Sequence, residues 1–115
     1  MPYIRLSTTK EIDAEKQLCL KAELARATEL VPGKKEALLM VELAAGQTMF
    51  YRGQEGDFAF IDARFSGEVP FAEQKIFTEA AIAAAAEVLG LKTEDINLTF
   101  SCFNSWGTRG TLVGR

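Results

Sequence analysis

The 115 residues include no histidine. That excludes a serine or cysteine nucleophile activated by an imidazole, and it deprives a metal site of its usual nitrogen ligand. Carboxylates do not cluster at helical spacing to replace it, so no metal and no cofactor is expected. What remains for proton chemistry is an amine. Pro2 follows Met1 and opens the apolar run Pro2-Tyr3-Ile4-Arg5-Leu6. An initiator methionine is commonly removed ahead of a small residue, and Pro2 would then carry a free secondary amine, a proton acceptor with no need of histidine. A terminus at the start of a buried strand is held in place, unlike a frayed tail. The plainer reading is that proline is tolerated at a strand start because it lacks only one donor. Two cations could serve such a base. Lys34 follows Gly33, and Arg64 stands near the end of a strand pattern, where its planar fork suits a carboxylate. Each cation taken singly also reads as a solvated surface charge, and a lysine in that position also meets the last helical carbonyls.

The elements that must position these groups come in two similar halves. The first reads as a strand over 2–7, a helix over about 13–30, a turn at Val31-Pro32-Gly33-Lys34-Lys35 and a strand over 37–43. The second reads as a strand over 58–65, a helix over 70–89, a turn at Gly90-Leu91-Lys92 and a strand over 96–103. Gly33 and Gly90 are expected as equivalent helix-ending residues 57 positions apart, an offset that Ile4 and Ile61 share, and Pro70 suits a first helical turn. Each half is a β-α-β unit, which predicts an internal repeat over about 2–43 and 58–103. Leu20, Leu24, Ala27 and Val31 form one helical stripe, and Phe77, Ala80, Ala81, Ala84 and Val88 form the other. Right-handed crossovers then put both helices on one face of a four-stranded sheet.

The sheet's other face is predicted to carry Tyr3, Arg5, Leu38, Met40, Glu42, Phe58, Phe60, Asp62, Arg64, Asn97, Thr99 and Ser101. Its apolar members imply an oligomer that covers this face incompletely. The segment 44–57, with Gly46, Gly53 and Gly56, reads as a loop or short edge strand, without the spacing of a phosphate loop. The tail from Asn104 to Gly110 is expected to pack across a neighbouring subunit, with Trp106 as interface hydrophobe or pocket wall.

The length corresponds to one domain, 1–115, able to bury a core without staples. Lys and Arg total 13 against 16 Asp and Glu, a net charge of −3, and the pI is near 5.0. This balance argues against nucleic-acid or general polyanion binding. Cys19 and Cys102 show no Cys-x-x-Cys or zinc spacing and are expected as buried apolar residues in a reducing compartment. The first residues lack an apolar signal segment, and the longest apolar stretch, 80–86, is too short to span a bilayer. The expectation is a soluble cytoplasmic protein.

The start MPYIRLST, the segment PGKKEALLMVEL, the FYRG turn and the late SWG are together similar to the tautomerase superfamily. Among its branches the chain most resembles that of macrophage migration inhibitory factor and D-dopachrome tautomerase. The resemblance runs over almost the whole chain and rests on order and spacing, with Pro2 the one diagnostic residue. It implies a homotrimer around a central channel, active sites between subunits and the amino-terminal proline as base. Pro2 matches that proline, and Lys34 matches the lysine that helps hold a substrate carboxylate. Arg64 falls where the family presents a backbone N–H from the third strand, here with a guanidinium added. Asn97 and Thr99 stand where relatives often place a tyrosine and an asparagine from the adjacent subunit. Leu38 replaces another aromatic, while Tyr51 and Trp106 keep aromatic character. The family's Cys-x-x-Cys pair corresponds roughly to Asp57-Phe58-Ala59-Phe60, so the thiol oxidoreductase activity proposed there is not expected here.

The reaction so implied is keto–enol tautomerisation of a small 2-oxo acid such as phenylpyruvate. Burial and the two cations would lower the amine's pKa toward the working pH, where a general base is most effective. Loss of the tyrosine and asparagine weakens the claim to the familiar phenylpyruvate and dopachrome substrates. Two alternatives stay open. One is a related proline-dependent hydratase, dehalogenase or decarboxylase of a small unsaturated or 3-oxo acid; the other is a non-enzymatic, cytokine-like interaction protein.

Overall fold

The computed structural model describes residues 1–114. The chain opens with β1 (Pro2–Thr8), in which Pro2, Ile4, Leu6 and Thr8 point inward while Arg5 stays exposed, the period of a half-buried strand. Helix α1 (Ala14–Glu29) starts where the Asp13 carboxylate accepts from the Lys16 N–H at 2.8 Å, which satisfies one orphan donor of the first turn. It lays Leu20, Leu24 and Ala27 on the sheet. A short 3₁₀ turn at Glu36–Leu38 leads into β2 (Met40–Ala44).

Next come the small strands β3 (Phe50–Tyr51) and β4 (Gln54–Glu55), a hairpin turned at Arg52 and Gly53. The second half follows with β5 (Ala59–Ser66), α2 (Phe71–Leu89) and β6 (Ile96–Phe103). A terminal hairpin, β7 (Ser105–Thr108) and β8 (Thr111–Gly114), turns at Arg109 and Gly110. Both hairpin turns place two residues at positive φ, as the twist of a two-residue hairpin requires.

The main sheet runs β2-β1-β5-β6. β1 pairs parallel with β2, antiparallel with β5, and β5 pairs parallel with β6. Both crossovers advance the chain by the same 37 positions, Tyr3 to Met40 and Ala59 to Ile96. The β-α-β repeat therefore holds at the level of strand register. Both helices lie on one face, sealing a core in which Phe65 stacks on Phe100 at 4.6 Å and meets Phe77 edge-on at 5.3 Å. Among the described residues no helix is long and apolar enough to cross a membrane.

Several expectations are corrected. The Gly33 equivalence fails. Helix α1 ends at Glu29 in right-handed backbone, with the Leu30 and Val31 N–H groups donating to Ala27 and Thr28 carbonyls. Gly33 instead takes φ +81° in the turn that follows, whereas Gly90 at φ +69° caps α2 as expected. Pro70 stands one residue before α2 as its N-cap. The second strand is shorter than 37–43, because residues 36–38 coil into the 3₁₀ turn. Phe58 is buried rather than on the open face, since the β3–β4 hairpin folds over it and Tyr51 meets it edge-on at 5.6 Å. Both cysteines are exposed: Cys19 lies off the α1 stripe, and Cys102 sits beside Pro70 and Gln74 at the end of edge strand β6.

Candidate functional site

A cleft of about 480 Å³ opens at the end of the sheet where β1 begins. Met1, Pro2, Tyr3 and Arg64 form its sheet side. Leu38 and Met40 close one flank, and Phe103 and Trp106, with ring centroids 6.1 Å apart, close the other. The start of the chain is tied down here by a ladder to β5, in which Pro2 lies opposite Phe65. The Met1 ammonium donates to Ser66 Oγ at 2.9 Å, and the Met1 carbonyl accepts from the Ser66 N–H at 3.1 Å. Pro2 is fully buried.

Lys34 reaches this end from the turn after α1, where its Nζ donates to the Ser66 carbonyl at 2.9 Å. Burial first, and the Lys34 charge second, push the Met1 amine below the ordinary α-amino range. Both effects penalise the ammonium.

Arg64 is already engaged by its own strand. Its Nε lies 3.2 and 3.3 Å from the two Asp62 oxygens, and its Nη2 donates to Asp62 Oδ2 at 2.9 Å. Asp62 is two positions away on the same strand face, so the pairing follows from the strand's period. This bond holds the guanidinium above its usual pKa, first through the hydrogen bond and then through the carboxylate's charge. The Arg64 guanidinium also sits 5.7 Å from the Tyr3 ring. The Tyr3 hydroxyl in turn donates to Glu42 Oε1 at 2.5 Å, which raises the phenol's pKa.

One cleft thus gathers Pro2, Leu38, Arg64 and Trp106, with Lys34 immediately behind it. Asn97, Thr99 and Tyr51 lie outside it within one chain. Asn97 pairs with Phe60 and Thr99 with Asp62, while Cys102 pairs with Phe65, which lies opposite Pro2. At about 3.3 Å per residue, Asn97 is roughly 17 Å and Thr99 roughly 10 Å down the strand from Pro2's level. Tyr51 packs on Phe58 under the Arg52 guanidinium, and Arg52 is bonded to Asp95 at the head of β6.

The residue that sequence reasoning missed is Ser66. The strand N–H beside the terminus belongs to Ser66 and not to Arg64. Nothing in a lone serine signals this; only the β1–β5 register brings it opposite the chain start. Phe103 was assigned to its strand but not to the site.

No family model matches the chain, and no curated protein is similar to it at a significant level. Solved structures are similar in fold over nearly all of it. Leishmania major MIF2 superimposes with a TM-score of 0.92 at 21% identity, covering 98% of this chain and 97% of that one. A macrophage migration inhibitory factor homologue from Prochlorococcus marinus gives 0.87 at 20% identity over 97% and 99%. Pt0534, in a structure inactivated by 2-oxo-3-pentynoate, gives 0.85 at 18% identity over 95% and 93%. The chain therefore has the fold of these macrophage migration inhibitory factor proteins.

Proposed function

We propose that this chain, once Met1 is removed, is a cofactor-independent keto–enol tautomerase of a small 2-oxo acid such as phenylpyruvate, with the Pro2 amine as general base. The observation that carries the reading is the pinned chain start. The Met1 amine lies inside the cleft, partly desolvated and close to the Lys34 ammonium, and its pKa is lowered. Excision of Met1 would move the terminus to Pro2, which is fully buried while Met1 is in place. It would also release the Ser66 N–H and hydroxyl, now occupied by Met1.

In this mechanism neutral Pro2 takes a proton from the carbon next to the ketone. The electron pair of that C–H bond moves onto the ketone oxygen, and the ammonium returns the proton to that oxygen, giving the enol. Lys34 with the freed Ser66 donors holds the substrate carboxylate and stabilises the enolate charge. Phe103, Trp106, Leu38 and Met40 supply an apolar wall for the rest of the substrate. Neighbouring copies in a homotrimer bring Asn97, Thr99 and Tyr51 toward the same cleft. Support for that arrangement is the open sheet face, where Met40 is 67% exposed. The inactivation of Pt0534, a similar fold, by a 2-oxo acid agrees with the substrate class.

The test is the ultraviolet decay of enol-phenylpyruvate with untagged protein whose loss of Met1 is confirmed by mass. Rapid decay that disappears in Pro2→Gly is the expected result. Full turnover by a folded Pro2→Gly protein, or by one retaining Met1, would falsify the base assignment.

A further inference from the structure

We infer that the cleft selects a 2-oxo acid carrying a second carboxylate, received by the open edge of Arg64. This rests on the tautomerase reading and narrows its substrate class. An arginine has two bidentate edges, Nε with Nη2 along the side and Nη1 with Nη2 across the end. Asp62 occupies the side edge alone. Among the described residues, Nη1 has no hydrogen-bond or ion-pair partner, and Arg64 lines the cleft beside Pro2.

The guanidinium is also braced in place before any ligand arrives. Asp62 fixes its side edge, and the Tyr3 ring lies 5.7 Å from its carbon. That ring is itself tethered to Glu42 on β2. A donor pair so held loses little freedom on binding, which favours affinity for a ligand that matches it.

The second cation stands on the other side of the base. Pro2 lies opposite Phe65; Arg64 precedes that residue, and Ser66, whose carbonyl anchors the Lys34 ammonium, follows it. Along β5 the backbone positions of Arg64 and Ser66 lie two residues, about 7 Å, apart, and Pro2 is paired with the residue between them. Lys34 donates one of its three protons to Ser66 and keeps the others for a ligand. A dicarboxylate with its ketone next to one carboxylate offers one anionic group to each cation. A monocarboxylate leaves the Arg64 edge unused.

Binding is measured by calorimetry on the Met1-processed Pro2→Gly protein, so turnover does not intrude. The probes are 2-oxoglutarate and 2-oxopentanoate, which differ by a carboxylate in place of a methyl. The expected result is at least about tenfold tighter binding of 2-oxoglutarate, the range of a charge-assisted bidentate contact. Arg64→Gln should bring the ratio close to one by weakening only the dicarboxylate, and Lys34→Ala should weaken both acids alike. A ratio near one with Arg64 intact, a ratio that survives Arg64→Gln, or binding of neither acid each overturns the inference. All three outcomes leave the base assignment to the enol-phenylpyruvate assay. Turnover surviving Pro2→Gly would defeat that assignment without touching this ratio.

Discussion

At the scale of single residues, the proposed chemistry turns on one amine and the charges around it. The Met1 amine is held below its ordinary range by burial first and by Lys34 second, and the Pro2 amine that would replace it accepts a proton only in its neutral form. The processed enzyme should therefore be fully active above the amine's pKa and lose activity as pH falls through it. The same burial and Lys34 charge, acting on Pro2 after excision of Met1, should hold the acid limb below the range of a freely exposed prolyl amine. Lys34→Ala removes the smaller of the two effects, so a pH–rate profile should show the acid limb moving modestly upward while KM for the acid rises. An unmoved limb would mean that Lys34 acts on the substrate alone. Ser66→Ala removes the hydroxyl yet keeps the N–H, and it is expected to raise KM severalfold, consistent with the loss of one hydrogen bond to a charged group. An unchanged KM would leave carboxylate binding to Lys34 and the amide.

The elements hold these groups by ordinary means, and their failure modes are ordinary too. Gly90 takes φ +69° at the end of α2 with open space where a Cβ would stand. Gly90→Ala should therefore cost only the left-handed strain, about 1 kcal/mol, read as a lower denaturant midpoint at unchanged slope. Phe77 is fully buried against Phe65 and Phe100. Phe77→Ala should cost about 3–5 kcal/mol, a large share of a domain's total stability. Because Phe65 lies opposite Pro2, that cavity should also loosen the site and reduce kcat beyond the loss of folded protein. A variant with full kcat per folded molecule would show that the β1–β5 ladder alone fixes the terminus.

Over the whole molecule, the sheet covers one face with helices and leaves the other unclothed. Among the described residues, edge strands β2 and β6 each pair on one side only, and β8 is exposed along its length with Leu112 at 69%. Exposed apolar groups and open edges of this kind are normally paired or covered. Sedimentation equilibrium should accordingly give a trimer. Met40→Glu places a charge beside Glu42 on that face and should shift the species toward monomer with loss of turnover. A fully active monomer would remove any need for Asn97, Thr99 and Tyr51 from a neighbour.

The sequence by itself determined the layered plan, because that plan is periodic. The spacing of Leu20, Leu24 and Ala27, the alternation from Ile4 to Leu6, and the offset shared by Ile4 and Ile61 are local signals of which face is buried. They predicted two β-α-β units, both helices on one face, and strands whose ends fall within a few residues of those observed. Pro2, Lys34 and Arg64 stood out as candidates because an amine and two cations are conspicuous in a chain without histidine. Only the tertiary structure decided how those groups are engaged. The β1–β5 register brings Ser66, not the Arg64 amide, against the chain start. The strand's pleat hands one edge of Arg64 to Asp62, and the fold-over of the β3–β4 hairpin buries Phe58. Register, pleat and hairpin fold-over bring together residues far apart in sequence or fix which atoms of neighbours meet, and neither the spacing of residue types nor their composition encodes that.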